Sequence, residues 1–216
     1  MNYKAAVFDL DGTILDTLLD LKISLNFALE SKNMPERSLD EVRMFVGNGI
    51  RKLILRAAPE KTTEKTIDEL YDIFAAHYKI HCVDNTAPYD GIVRMLKEIR
   101  DSGVKTAVVS NKADFAVKEL CERYFPDLFD GAVGERAGVL RKPAPDSINE
   151  VLHLLGVRAS EAVYIGDSDV DIETAKNAGC DMIAVDWGFR DRSVLTKHGA
   201  KIIVSSIEEL KSKIIL

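Results

Sequence analysis

The sequence predicts a doubly wound α/β core with a helical segment inserted near its start. Short, almost wholly apolar runs recur along the chain, helical patterns that stop at glycine lie between them, and the stretch from Leu18 to His81 drops that alternation. Continuous apolar runs rich in Val and Ile are the mark of strands buried on both faces, as in a parallel sheet covered by helices. The expected architecture is therefore a Rossmann-like parallel sheet with an inserted helical bundle.

Taken in order, Ala5 to Phe8 is the first predicted strand. The insert follows, with Leu21, Leu25, Ala28 and Leu29, then Ile50, Leu53, Ile54 and Ala57, then Ile67, Leu70, Ile73 and Phe74 at helical spacing. Re-entry comes through Asp84 to Gly91, whose Asn85, Pro88 and Gly91 suit a linker or hinge. Ile92, Met95, Leu96 and Ile99 mark a helix that stops at Gly103, ahead of a strand from Thr106 to Val109. Ile148, Val151, Leu152 and Leu155 do the same up to Gly156, ahead of a strand from Ala162 to Ile165. Met182 to Val185 and Ile202 to Val204 complete the strands, so residues 1–17 and 82–216 form the core and 18–81 the insert.

Composition narrows the partners. The 216 residues carry 29 Lys and Arg against 35 Asp and Glu, a net charge of −6, so the chain lacks the basic field of a nonspecific nucleic-acid binder. Charges interrupt each apolar stretch well short of a membrane helix, and no signal peptide is expected. Cys82, Cys121 and Cys180 are odd in number and far apart, as suits reduced thiols in a cytoplasmic protein. Monomer and homodimer both stay open.

Three of the predicted strands run directly into polar residues. Phe8 is followed by Asp9-Leu10-Asp11-Gly12-Thr13, Val109 by Ser110-Asn111-Lys112, and Ile165 by Gly166-Asp167-Ser168-Asp169-Val170-Asp171. The carboxyl ends of parallel strands share one edge of the sheet, where ligands bind, so these motifs should converge. Crowded carboxylates repel unless a cation sits among them, which implies a hard divalent ion such as Mg²⁺, completed by a substrate phosphate. Thr13, Ser110, the turn amides and Lys142 in Arg141-Lys142-Pro143 would face that phosphate.

In order, Phe8-Asp9-Leu10-Asp11-Gly12-Thr13, Ser110-Asn111, Lys142-Pro143 and Gly166-Asp167-Ser168-x-x-Asp171 resemble the signature blocks of the haloacid dehalogenase-like superfamily of phosphatases. The resemblance spans the chain and extends to the subgroup with a small helical cap after the first block. Within it the chain is most similar to phosphoglycolate phosphatases, on Asp16-Thr17, Phe45-Val46-Gly47-Asn48-Gly49, Val109-Ser110-Asn111-Lys112 and Arg141-Lys142-Pro143. It departs from them at the cap exit, where Asp90 rather than proline precedes Gly91.

The resemblance implies that Asp9 is the nucleophile, forming an aspartyl-phosphate, and that Asp11 protonates the leaving alcohol and later takes a proton from water. It implies Mg²⁺ held by the Asp9 side chain, the Asp11 backbone carbonyl and Asp167, with Asp171 supporting the metal through water or a hydrogen bond. Ser110, the Asn111 backbone and Lys142 would bind the phosphoryl oxygens. The substrate would be a small phosphorylated metabolite, with 2-phosphoglycolate foremost. A pyrophosphatase, a phosphosugar mutase or a noncatalytic interaction module are the alternatives.

The cap would close over the site, with hinges near Asp16 and Asn85. It holds ten acidic and ten basic residues, yet between Glu41 and Glu60 every charge is positive: Arg43, Arg51, Lys52 and Arg56. Arg51, just after Gly47-Asn48-Gly49, is the expected contact to an anionic substrate tail. His77, His81 and Cys82 lack the partners of a zinc site, and Trp187 and Phe189 read as packing or loop residues.

Overall fold

A computed structural model describes residues 3–47 and 49–215. In chain order the elements are β1 (Ala5–Phe8), β2 (Leu15–Asp16), α1 (Leu18–Glu30), α2 (Leu39–Phe45), α3 (Ile50–Ala57), α4 (Glu64–His81) and β3 (Ala87–Pro88). There follow α5 (Ile92–Asp101), β4 (Lys105–Ala113), α6 (Asp114–Tyr124), β5 (Gly131–Glu135), α7 (Asp146–Leu155) and β6 (Ala162–Gly166). The chain closes with α8 (Asp169–Ala178), β7 (Asp181–Val185), α9 (Arg192–Lys197), β8 (Ile203–Val204) and α10 (Ile207–Ile214). It divides into two compact units, residues 1–15 with 88–216, and residues 16–87.

The first unit is built on a six-stranded sheet in the order β5-β4-β1-β6-β7-β8, parallel in its pairings. β1 and β6 are buried along their whole length, which explains why neither shows polar alternation. On one face Val7, Val109 and Tyr164 pack against Ile148, Val151, Leu152 and Leu155 of α7. On the other, the Phe8 ring meets Phe129, which in turn meets Phe125. The strand order reverses between β1 and β6: the chain builds outward through β4 and β5, then returns to β6 and builds the other way. That reversal opens a crevice at the carboxyl ends of β1 and β6.

Two strands of this sheet differ from expectation. β5 has two glycines and no sustained apolar run, so periodicity misses it. β4 runs on to Ala113, past Val109 where the sequence pattern ends, because it resumes pairing with β5 after a register shift. Ser110, Asn111 and Lys112 thus lie within a strand rather than after it.

The second unit holds α1 to α4. α2 went unpredicted, although Ser38 and Glu41 form a full capping box at its start. Asp20 in the first turn of α1 is buried and accepts hydrogen bonds from the backbone and side chains of Asn85 and Thr86 at 2.8–3.0 Å. This carboxylate ties the two ends of the insert together. Among the described residues no helix is long and apolar enough to cross a membrane.

Candidate active site

Sheet register places the first two aspartates. The Asp9 amide donates to the Ile165 carbonyl at 2.8 Å, so the residue after β1 is pinned to β6, and Asp167 follows the end of β6. Asp171 arrives on the first turn of α8, where Ser168 caps the helix through the Asp171 amide. Asp9, Asp167 and Asp171 are all buried, and each brings a carboxylate oxygen within 4.8 Å of the others.

Lys142 stands among them with its side chain only 3% exposed. Its Nζ lies 2.9 Å from Asp9 Oδ1 and donates to Asp171 Oδ1 at 2.8 Å and to the Tyr164 hydroxyl at 2.9 Å. The Tyr164 hydroxyl in turn donates a hydrogen bond to the Val109 carbonyl at 3.0 Å. Asn111 holds the lysine backbone from both sides: its Oδ1 accepts from the Lys142 amide at 2.9 Å and its Nδ2 donates to the Lys142 carbonyl at 3.1 Å. Ser110 is buried next to these groups, and its Oγ accepts from the Lys112 amide at 3.3 Å.

Three carboxyl groups crowd one ammonium in a low-dielectric pocket, where full ionisation of all three is costly. Burial pushes the Asp9 carboxyl up to about 6, Lys142 pulls it back, and Asp171 and Asp11 raise it again. Asp167 is held well above the usual carboxylate range, by burial first and then by Asp171 and Asp9. Burial works against the Lys142 charge, but Asp171 and Asp9 outweigh it, so the ammonium persists.

The donor set fits a divalent cation. Asp9 Oδ1 is buried, and its close neighbour there is the Lys142 ammonium at 2.9 Å. Asp171, by contrast, is engaged at both oxygens: Oδ1 accepts from Lys142, and Oδ2 accepts from the Ser168 amide and hydroxyl. The oxygens of Asp9 and Asp167 are therefore better placed as ligands than those of Asp171.

Thr13, expected at the phosphate, lies beside Asp167. It is fully buried and its hydroxyl donates to Asp167 Oδ1 at 3.2 Å. Asp11 lies outside the three-carboxylate group, its Oδ1 and Oδ2 at 3.1 and 3.3 Å from Lys112 Nζ. Arg51, in the helical unit, is exposed and donates to Glu64 at 2.7 Å and Asp68 at 2.8 Å. These carboxylates lie 13 and 17 residues further on, beyond the local charge pattern that singled Arg51 out. Asn48, part of that same glycine turn, lies outside the described residues.

Sequence reasoning missed a further contributor, the loop after β7. The Phe189 amide donates to Asp167 Oδ2 at 2.7 Å, and the Trp187 indole donates to the Thr13 carbonyl at 3.1 Å. Gly188 passes so close to the Gly12 carbonyl and Asp167 that a Cβ there would overlap both. Gly12 makes the same concession from the other side, with φ +81° and no room for a Cβ beside Asp167 Oδ2. The glycine after Trp187 was the available signal. Gly188→Ala is expected to weaken divalent-cation affinity by about 10- to 100-fold while the chain stays folded. Calorimetric titration with MgCl₂ would check this, and unchanged affinity would remove the loop from the site.

Comparison with known proteins follows the same lines. The model of the haloacid dehalogenase-like hydrolase family matches residues 6–185. A phosphoglycolate phosphatase of Mesorhizobium japonicum is 34% identical over 198 residues, covering 90% of this chain and 87% of that protein. The Aquifex aeolicus phosphoglycolate phosphatase is 32% identical, with 86% of each chain covered. A crystal structure from Lactobacillus delbrueckii subsp. bulgaricus, provisionally assigned as a phosphoglycolate phosphatase, superposes with a TM-score of 0.96 at 41% identity over 99% of both chains.

Proposed function

Since the chain belongs to the haloacid dehalogenase-like hydrolase family and is a phosphatase of that family, we propose that it hydrolyses a small anionic phosphomonoester, 2-phosphoglycolate foremost, through an aspartyl-phosphate on Asp9. The observation that carries this reading is the buried Asp9 carboxylate paired with Lys142 at 2.9 Å at the sheet's switch point. Relatives at about 30% identity that are named phosphoglycolate phosphatases support the choice of substrate.

Asp9 attacks phosphorus, a P–O bond forms to its carboxylate, and the bond to the leaving oxygen breaks. That oxygen takes a proton from Asp11 and departs as the alcohol. Water then attacks the acyl-phosphate, gives its proton to Asp11, and releases phosphate with Asp9 restored. Lys142, the Ser110 hydroxyl and the Asn111 amide hold the phosphoryl oxygens, while Asn111's side chain and Tyr164 keep Lys142 aimed at Asp9. Mg²⁺, the cation proposed for the Asp9, Asp167 and Asp11-carbonyl oxygens, supplies neutralisation of the phosphoryl charge when bound. Asp171 supports that set through Lys142 and Ser168 rather than by ligation.

Choice of leaving group is assigned to the helical unit as a specificity cap, with Arg51 as the cation for the substrate's distal carboxylate. Its pairs with Glu64 and Asp68 are exposed and solvent-screened, and so easily exchanged.

A panel of phosphorylated metabolites with Mg²⁺, read for free phosphate and free alcohol, tests the reading. Highest kcat/KM on 2-phosphoglycolate is expected, whereas preferred turnover of pyrophosphate or isomerised phosphosugar would replace it.

The raised Asp9 value adds a pH dependence. The folded chain binds this proton more tightly than the unfolded chain, so ionising the cluster costs stability as pH rises from about 4 to about 6, and in full above that. A cation relieves that cost and must displace the same proton. The rise in Tm from a fixed MgCl₂ concentration is therefore expected to be greatest near pH 7.5 and to fall away below about pH 6. An equal rise at pH 5 would separate Mg²⁺ binding from these carboxylates.

A further inference from the structure

Resting on the assignment of Asp11 as acid and base, we infer that Lys112 is a positioning residue for that step. Its Nζ meets both carboxylate oxygens of Asp11, at 3.1 and 3.3 Å, and its side chain is only 5% exposed against 19% for Asp11. A surface pair of this kind would be mobile and screened; one shielded from water holds both side chains in place.

The lysine is itself held. It lies in the part of β4 where pairing with β5 shifts register, its amide donates to Ser110 Oγ at 3.3 Å, and its carbonyl faces Gly134, where a Cβ would overlap it. Asp114, two residues on, anchors the same stretch through the Gly134 amide at 2.9 Å. Lys112 therefore approaches Asp11 from a backbone held against β5.

The consequence is a division of labour between two lysines. Lys142 serves the nucleophile and Lys112 serves the proton carrier, and the Ser110 hydroxyl, a phosphoryl ligand in the proposed reaction, is tied to Lys112 through the Lys112 amide. An acid that is one ångström out of place still leaves the phosphoryl site intact, so removing Lys112 should harm leaving-group departure rather than phosphate binding.

The experiment compares kcat/KM, which reports steps up to departure of the leaving group, for 2-phosphoglycolate and p-nitrophenyl phosphate. The former leaves as an alkoxide that needs a proton and the latter as a phenolate that hardly does. Lys112→Met is expected to lose about 10- to 100-fold on 2-phosphoglycolate and less than about 3-fold on p-nitrophenyl phosphate, with Lys112→Arg recovering part of the loss. Asp11→Asn should show the same asymmetry more strongly. Equal losses on both substrates, or a gain in Lys112→Met, would overturn the role of Lys112. If Asp11→Asn itself shows no asymmetry, the acid assignment fails, and the inference about Lys112 with it.

Discussion

Asp9→Asn is expected to lower kcat/KM for 2-phosphoglycolate by about 10⁴-fold or more, because in the proposed reaction the Asp9 carboxylate is the group that bonds phosphorus and a neutral amide is a far weaker nucleophile. Asn keeps the size of the side chain and its place beside the Ile165 carbonyl, which the backbone amide secures. It also removes one of three mutually repelling buried carboxylates, the one whose neutral form burial already favours. Stability at pH 7.5 without added metal should therefore hold or rise. Lost turnover with retained Tm separates a chemical role from a folding defect, and substantial activity in this variant would end the aspartyl-phosphate mechanism.

Lys142→Met is the second large effect, and here folding and activity should fall together. The lysine is the ammonium shared by Asp9 and Asp171 and hydrogen-bonded by Tyr164. Removing one partner of a buried ionic cluster costs about 3–5 kcal/mol, since the charges left behind are neither solvated nor paired. Urea unfolding at pH 7.5 should show that loss. Part of it should return at pH 5, because Asp9 and Asp167 take up protons more readily than exposed aspartates and the remaining charge is then relieved. Saturating Mg²⁺ should restore part of it at pH 7.5 by the same reasoning. A variant as stable as the parent at pH 7.5 would mean the carboxylates do not share the charge state described.

Much of this was open to reading in one dimension. The α/β core is legible because strands buried on both faces must be apolar throughout, and Ala5–Phe8 and Ala162–Gly166 are. The aspartates could be assigned to one edge because each follows a strand and parallel strands end together. What escaped was either irregular or distant. β5 carries two glycines where a strand pattern needs side chains, and α2 is short, announced by a cap rather than by a long apolar face.

The sequence by itself determined the parallel sheet and the gathering of aspartates at its edge, since these follow from local periodicity and from which residue types end the strands. Only the tertiary structure decided who pairs with whom inside that crevice. Thr13 turns to Asp167 across 154 residues, Lys112 to Asp11 across 101, and Phe189 lends its amide to Asp167 across 22. Arg51 finds Glu64 and Asp68 on the neighbouring helix. The physical reason is one of range: backbone preference and burial act over a few residues, whereas a charge or donor takes whatever partner the strand register and loop packing bring within about 3 Å.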